Sequence, residues 1–194
     1  RHVLMLAFSY FTMNYLYYLL GNWCFLYLVQ QRHFPVLDSG WLATAPPIAA
    51  GIGAAIGGAL ASALFMRLGV RRGLQLTPLV AMPVAGLLLL LAVHAGNAMT
   101  AIALLALCYF TVELTEGSFW ATAMTIGRSN TMVVSGVLTL GGSLGGVVGI
   151  PIVAYLSGHG AWNSAFLVGT GCALASALAW IFIDPSHSVA TRRA

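Results

Sequence analysis

LQLTPLVAMPVAGLLLLLAVHAGNAMTAIALLALCYFTV, residues 74–112, contains no Asp, Glu, Lys or Arg. A membrane-crossing helix needs about 20 apolar residues, so this run is too long for one crossing. The group His94, Ala95, Gly96, Asn97 interrupts it and predicts two helices, 74–93 and 98–126. The same test works outward in both directions. Val3–Gln31 and Ser39–Met66 are charge-free runs, each suited to one helix. Ser129–Ile183 is again too long, and Ser157, Gly158, His159, Gly160 divide it. The expected fold is therefore all-α and integral to a membrane. Six transmembrane helices are expected at about 3–31, 39–66, 74–93, 98–126, 131–157 and 162–183. They form one unit over 1–185, followed by a polar cytoplasmic tail, 186–194. Strands are disfavoured because the runs are continuous rather than alternating and exceed a barrel strand in length.

Composition agrees. Of 194 residues, 60% are hydrophobic and 6% charged, against roughly 25% charged in an ordinary soluble domain. That excludes a disordered chain and a water-soluble enzyme, which needs polar groups to cover its surface. The net charge of +4 comes from eight Arg and no Lys, too little for a nucleic-acid footprint. A six-span parse places Arg1, Arg67, Arg71, Arg72, Arg128, Arg192 and Arg193 on one side and only Arg32 on the other. Positively charged loops stay cytoplasmic. Both termini and the Arg67–Arg72 loop are thus expected inside, and the Gly158–Trp162 turn outside. Cys24, Cys108 and Cys172 lie in apolar runs without metal spacing and read as small buried hydrophobes. The chain begins with Arg1 and no cleavage site follows, so a signal peptide is not expected and the sequence reads as a piece of something longer.

Chemistry is concentrated in few places. Glu113 falls near the middle of the fourth helix and Glu116 lies one turn on. A charged side chain at the bilayer centre costs at least about 2.5–3.5 kcal/mol. Arg128, 12 residues past Glu116 and about 18 Å along the axis, is too far to pair within that helix. The carboxyls must face a wet cavity, stay protonated, or meet a cation. A structural alternative is a protonated Glu bonded to a neighbouring helix. Trp120 shares a face with Glu116. The first helix carries a polar and aromatic stripe, Asn14, Tyr17, Tyr18, Asn22, Trp23 and Tyr27. Its amides and phenols suit hydroxyls and carboxylates of a small solute. Interhelical hydrogen bonds, or an interfacial aromatic belt for Trp23 and Tyr27, are the plainer alternatives. Thr139 and Ser143 form another pair four residues apart. Ala49, Gly53, Gly57 and Ala61, and Gly141, Gly145 and Gly149, are small-residue stripes that let helices approach closely. No HExxH, P-loop or dinucleotide motif is present. No enzyme activity, cofactor or metal is expected.

The stretch Ser135-Gly136-Val-Leu-Thr139-Leu-Gly141-Gly142-Ser143-Leu-Gly145-Gly146-Val-Val-Gly149-Ile-Pro151 resembles the carboxy-terminal half of a major facilitator superfamily (MFS) transporter. So do Tyr17-Tyr18-Leu-Leu-Gly-Asn-Trp23-Cys-Phe-Leu-Tyr27, Gly160-Ala-Trp162-Asn-Ser-Ala-Phe166 and Ile183-Asp184-Pro185-Ser186. The resemblance is to the anion:cation symporter family, which includes hexuronate and galactonate transporters. The family often has Asn where this chain has Thr139 and Ser143. The Gly58, Ser62, Arg67, Arg71, Arg72 segment looks like a degenerate copy of the superfamily's Gly-x-x-x-Asp-Arg gating motif, with Ser62 in the acidic place.

The resemblance implies a twelve-helix fold of two six-helix halves, each a 3+3 inverted repeat, with substrate bound between the halves by alternating access. It implies symport of an organic anion, such as a sugar acid or small carboxylate, with a coupling cation, H+ in preference to Na+. The setting would be the plasma membrane, in a bacterium the inner membrane. A facing amino-terminal half would hold the main coupling carboxylates and the substrate-binding arginine. Here the expected substrate-binding or pathway residues are Asn14, Tyr18, Asn22, Glu113, Glu116, Trp120, Thr139 and Ser143. Glu113 is the titrating or substrate-orienting group, and Arg67, Arg71 and Arg72 form a cytoplasmic gating loop. Two other readings stand beside this one. One is a stand-alone six-span homodimeric channel or transporter. The other is an intramembrane enzyme, disfavoured because Ser135 has no His at membrane depth to act as its base.

Overall fold

His2–Gln30 forms one long helix, α1, since only Gly21 in it opposes helix formation. It is followed by α2 (Ala45–Val93), α3 (Ala98–Glu113), α4 (Glu116–Gly127), a 3-10 turn (Arg128–Asn130), α5 (Thr131–Gly158) and α6 (Trp162–Phe182). The computed structural model describes residues 1–33, 35 and 40–188. The expected helix start at Ser39, and Arg192 and Arg193 of the expected tail, lie outside the described residues.

Among the described residues the fold is all helical, without a strand. Four helical stretches, His2–Gln30, Gly40–Val93, Ala98–Gly158 and Trp162–Phe182, are long and apolar enough to cross a membrane. Large apolar side chains face outward all round, among them Leu4, Phe8, Ile52, Leu87, Val147 and Leu178. Such helices suit a lipid environment rather than water.

Two of the long stretches are broken within. In α2 only Gly69 leaves helical geometry, at φ 78 and ψ 176. Beyond it the chain folds back so tightly that a Cβ on Gly73 would lie 2.5 Å from the Leu64 carbonyl oxygen. The expected seven-residue loop between helices at 66 and 74 is therefore corrected to a one-glycine reversal. A positive φ of this kind costs glycine nothing and other residues dearly. The expected unbroken helix 98–126 is also corrected. It is interrupted at Leu114 and Thr115, between the two glutamates. There the Thr115 amide and hydroxyl both donate to the Val112 carbonyl, at 3.0 and 2.7 Å. That shortened turn replaces the usual four-residue bond. The break at 94–97 does form. Asn97 caps α3 by accepting from the Thr100 amide at 2.7 Å. Pro78, Pro83 and Pro151 sit inside helices that continue past them.

Glycine contacts pair the helices. Cβ atoms on Gly141 and Gly145 would strike the carbonyls of Ala7 and Phe11, and one on Gly149 would strike the Tyr15 ring. Residue numbers rise together, so α1 and α5 run parallel. Gly53 and Gly57 meet Phe110 and Leu114 in the same way, so the first arm of α2 runs parallel to α3. The second arm packs on α6 through Gly86, Thr170 and Ala173. In lipid, where water supplies little drive, such close van der Waals approach holds helices together.

The two ends of the bundle differ in charge. At one end the His2 imidazole accepts from the Asp184 amide at 3.1 Å, and Arg71 lies 3.7 Å from the Asp184 carboxylate. The Ser186 hydroxyl, with its amide, Arg71 and His187 assisting, holds Asp184 below the usual carboxylate range. Arg1 and Arg67 adjoin these residues in sequence. At the other end Arg32 donates to the carbonyls of Ala92 and Ala95, both at 2.8 Å, and of Val93 at 3.2 Å. It also donates to the Tyr27 hydroxyl at 2.9 Å. Arg32 thus satisfies the orphan carbonyls that end α2. Arg32→Ala is expected to cost about 1.5–3 kcal/mol, the range for hydrogen bonds to a charged group. A lowered melting temperature in detergent would show it, and Arg32→Lys should restore only part, lacking the planar fork.

Candidate functional site

α1 places Tyr10, Asn14 and Tyr17 or Tyr18 on successive turns of one face, because residues three and four apart are neighbours on a helix. α5 lies against that face. A Cβ on Gly142 would meet the Tyr10 ring at 2.6 Å and the Asn14 amide nitrogen at 2.9 Å, so only glycine leaves room there. Gly146 makes the same allowance for the Tyr18 ring. The break at Leu114 and Thr115 presents Glu113 and Glu116 to the same place.

These elements enclose a cavity of about 400 Å³ lined by Tyr10, Asn14, Tyr17, Tyr18, Glu113, Glu116, Trp120, Thr139, Gly142 and Ser143. The volume lies within the range of small-molecule sites. The lining is graded. Tyr10, Asn14, Glu113 and Gly142 are buried. Tyr18, Glu116 and Trp120 are half-buried, while Tyr17, Thr139 and Ser143 are exposed. Asn14 stands about 18 Å from the start of α1, Glu113 about 22 Å from the start of α3, and Ser143 about 18 Å from the start of α5. The cavity thus lies near the middle of α1 and α5 and at the junction of α3 with α4.

Polar contacts tie the site together. The Tyr10 hydroxyl donates to Glu116 Oε1 at 2.9 Å, and the Tyr10 ring packs on Phe119 and Trp120, with centroids 5.0 and 6.4 Å away. Asn14 Nδ2 donates to the Tyr10 carbonyl at 2.8 Å. Thr139 donates to the Ser135 carbonyl at 3.0 Å. Glu113 Oε1 is buried without a hydrogen-bond partner among the described residues. Among the described residues no Arg, Lys or His lines the cavity. Of the three environments open to these carboxyls, the geometry supplies a cavity rather than a paired cation.

Seven of the eight expected pathway residues line this one space. Asn22 does not line it; it lies one turn beyond Tyr18 and is exposed. Arg67, Arg71 and Arg72 are exposed at the Gly69 reversal, away from the cavity, and Arg71 pairs with Asp184. Tyr10 carries no expected role in sequence, although its position four residues before Asn14 extends the polar stripe by one turn. Tyr10→Phe would release the Glu116 carboxyl. A loss of about 1.5–3 kcal/mol is expected, read as a lower melting temperature. Glu116→Gln, whose amide oxygen can still accept from the phenol, should lose less.

Among the described residues no three His, Cys, Asp or Glu gather as a metal site. No protein-family model matches the chain, and no curated protein matches it.

Proposed function

We propose that the chain is a six-crossing half of a secondary transporter of the MFS type, moving a small organic anion such as a sugar acid in symport with protons. The observation that carries this reading is the mid-helix polar cavity, into which a broken helix delivers two carboxyls. Uncompensated acids are costly at membrane depth and mark solute or ion pathways. Helix breaks are tolerated there where they line a cavity.

In this reading the reversals at Gly69 and 128–130 each divide one of the four long stretches, while 94–97 and 159–161 separate neighbouring ones, which gives six crossings. The arginine-rich end faces the cytoplasm, as the positive-inside rule requires, and the membrane is a bacterial inner membrane. A facing half closes the cavity from the exposed side, where Tyr17, Thr139 and Ser143 lie. Alternating access then rocks one half against the other around the fixed site. Glu113, unpartnered, carries the coupling proton or orients solute. Glu116 is held by Tyr10 and positions the wall. Arg67, Arg71 and Arg72 form the cytoplasmic gate.

Reconstituting the full-length protein in liposomes tests this reading. Accumulation of labelled D-gluconate or D-glucuronate under an inward proton gradient, abolished by a protonophore, is the expected result. Accumulation of neither would overturn it.

A further inference from the structure

We infer that the groove between the two arms of α2 and α3 holds an anionic phospholipid of the cytoplasmic leaflet, its phosphate on Arg67 and Arg72 and an acyl chain along the groove. The inference rests on the membrane orientation proposed above and not on the solute cavity.

The groove measures about 490 Å³, and its walls are aliphatic apart from Thr77 and Thr111. Leu60 and Leu64 come from the first arm of α2, and Leu76, Val80 and Val84 from the second. The second-arm residues are exposed, Val80 at 57%. In a bilayer the medium facing such a groove is hydrocarbon, so an acyl chain fills it.

The charge at one end of the groove selects the headgroup. Residues three, four and seven apart share a helix face. Leu60, Leu64 and Arg67 keep that spacing on the first arm, and Arg72, Leu76, Val80 and Val84 recur at every fourth residue on the second. Each arginine therefore continues one wall by about one turn, and the two meet across the Gly69 reversal. Arg71 pairs instead with Asp184. Arg67 and Arg72 are exposed and form no ion pair among the described residues. Two free guanidiniums above an aliphatic groove match a molecule with a phosphate at one end and a hydrocarbon tail at the other. A zwitterionic phospholipid has the same tail but carries its own cation beside the phosphate. A free anion has no tail.

Thr77 fits the same placement. It is 6% exposed, and its hydroxyl has no hydrogen-bond partner among the described residues. It lies five residues past Arg72, about 7.5 Å along the axis at 1.5 Å per residue. The ester carbonyls of a phospholipid hang below its phosphate and are acceptors, which an orphan donor in the wall needs. A lipid bound here would also hold the Arg67–Arg72 segment proposed above as the gate.

The test is native mass spectrometry of the purified full-length protein in detergent, titrated with dioleoyl phosphatidylglycerol or dioleoyl phosphatidylcholine. Phosphatidylglycerol is expected to bind at least about fivefold more tightly, since it brings one net negative charge to two arginines. Arg67→Gln with Arg72→Gln should abolish that preference. Arg128→Gln, which removes a charge off the groove, should leave it. Val80→Trp, which puts an indole into the groove from an exposed position, should weaken both lipids alike. A melting curve on each variant confirms that it is folded. Equal affinity for the two lipids would overturn the inference. So would a preference that survives loss of both arginines, one lost equally in Arg128→Gln, or binding indifferent to Val80→Trp. The transport reading fails separately. Selective phosphatidylglycerol binding without sugar-acid accumulation would sink that reading alone, and accumulation without lipid selectivity would sink this inference alone.

Discussion

Glu113→Gln in the full-length protein should cut sugar-acid uptake at least tenfold and flatten its response to an imposed proton gradient, while leaving the melting temperature unchanged or higher. Among the described residues Glu113 Oε1, which is buried, has no hydrogen-bond partner and no cationic side chain lines the cavity beside it. A buried carboxyl in that state contributes nothing to the fold and carries a desolvation cost. The amide is nearly the same volume, so no cavity opens and no clash arises. It cannot carry a proton on and off, however. A tenfold loss corresponds to about 1.4 kcal/mol. A purely structural role for Glu113 predicts the opposite pattern, lower stability with uptake falling only in proportion to folded protein. Unchanged uptake and unchanged gradient response in Glu113→Gln would remove the residue from the mechanism.

The second large effect separates two adjacent glycines. Gly57→Ala should destabilise the protein by about 1–3 kcal/mol, the usual range for overpacking, and Gly58→Ala should stabilise it by up to about 1 kcal/mol. A Cβ on Gly57 would lie 2.5 Å from the Leu114 carbonyl oxygen and 2.7 Å from its Cα. Both are backbone atoms and cannot swing aside. They also belong to the break between Glu113 and Glu116, so relief of the clash must move the carboxyls. Gly57→Ala should therefore lose uptake beyond its loss of folded protein. A Cβ on Gly58 meets nothing within 4 Å, and alanine is the better helix former. Thermal melts of the two variants in one detergent decide the matter. Equal melting temperatures would show that the α2–α3 contact is looser than this packing.

Much of the site could be read from the chain because polar groups are so sparse in it. Glu113, Glu116, Asn14 and Ser143 stand out in apolar runs, since each costs free energy in a hydrocarbon setting unless something uses it. The same sparsity did not reveal Tyr10, which reads as one more aromatic until Glu116 is found 2.9 Å from its hydroxyl. Nor could it exclude Asn22, which has the right period on α1 but extends past the cavity.

The sequence by itself determined that the chain is helical and apolar throughout, where its long runs are interrupted near 94–97 and 158–160, and which small residues line the contacts. Those properties are sums over neighbouring residues, and hydropathy, turn chemistry and helical period are all local. Only the tertiary structure decided that one glycine reverses α2, that the helix breaks between the two glutamates, and that residues of α1, α3, α4 and α5 share one cavity. Each depends on which backbones meet. Gly57 reaches Leu114 and Gly145 reaches Phe11 across long stretches of intervening chain, and no local pattern specifies which carbonyl a given glycine will face.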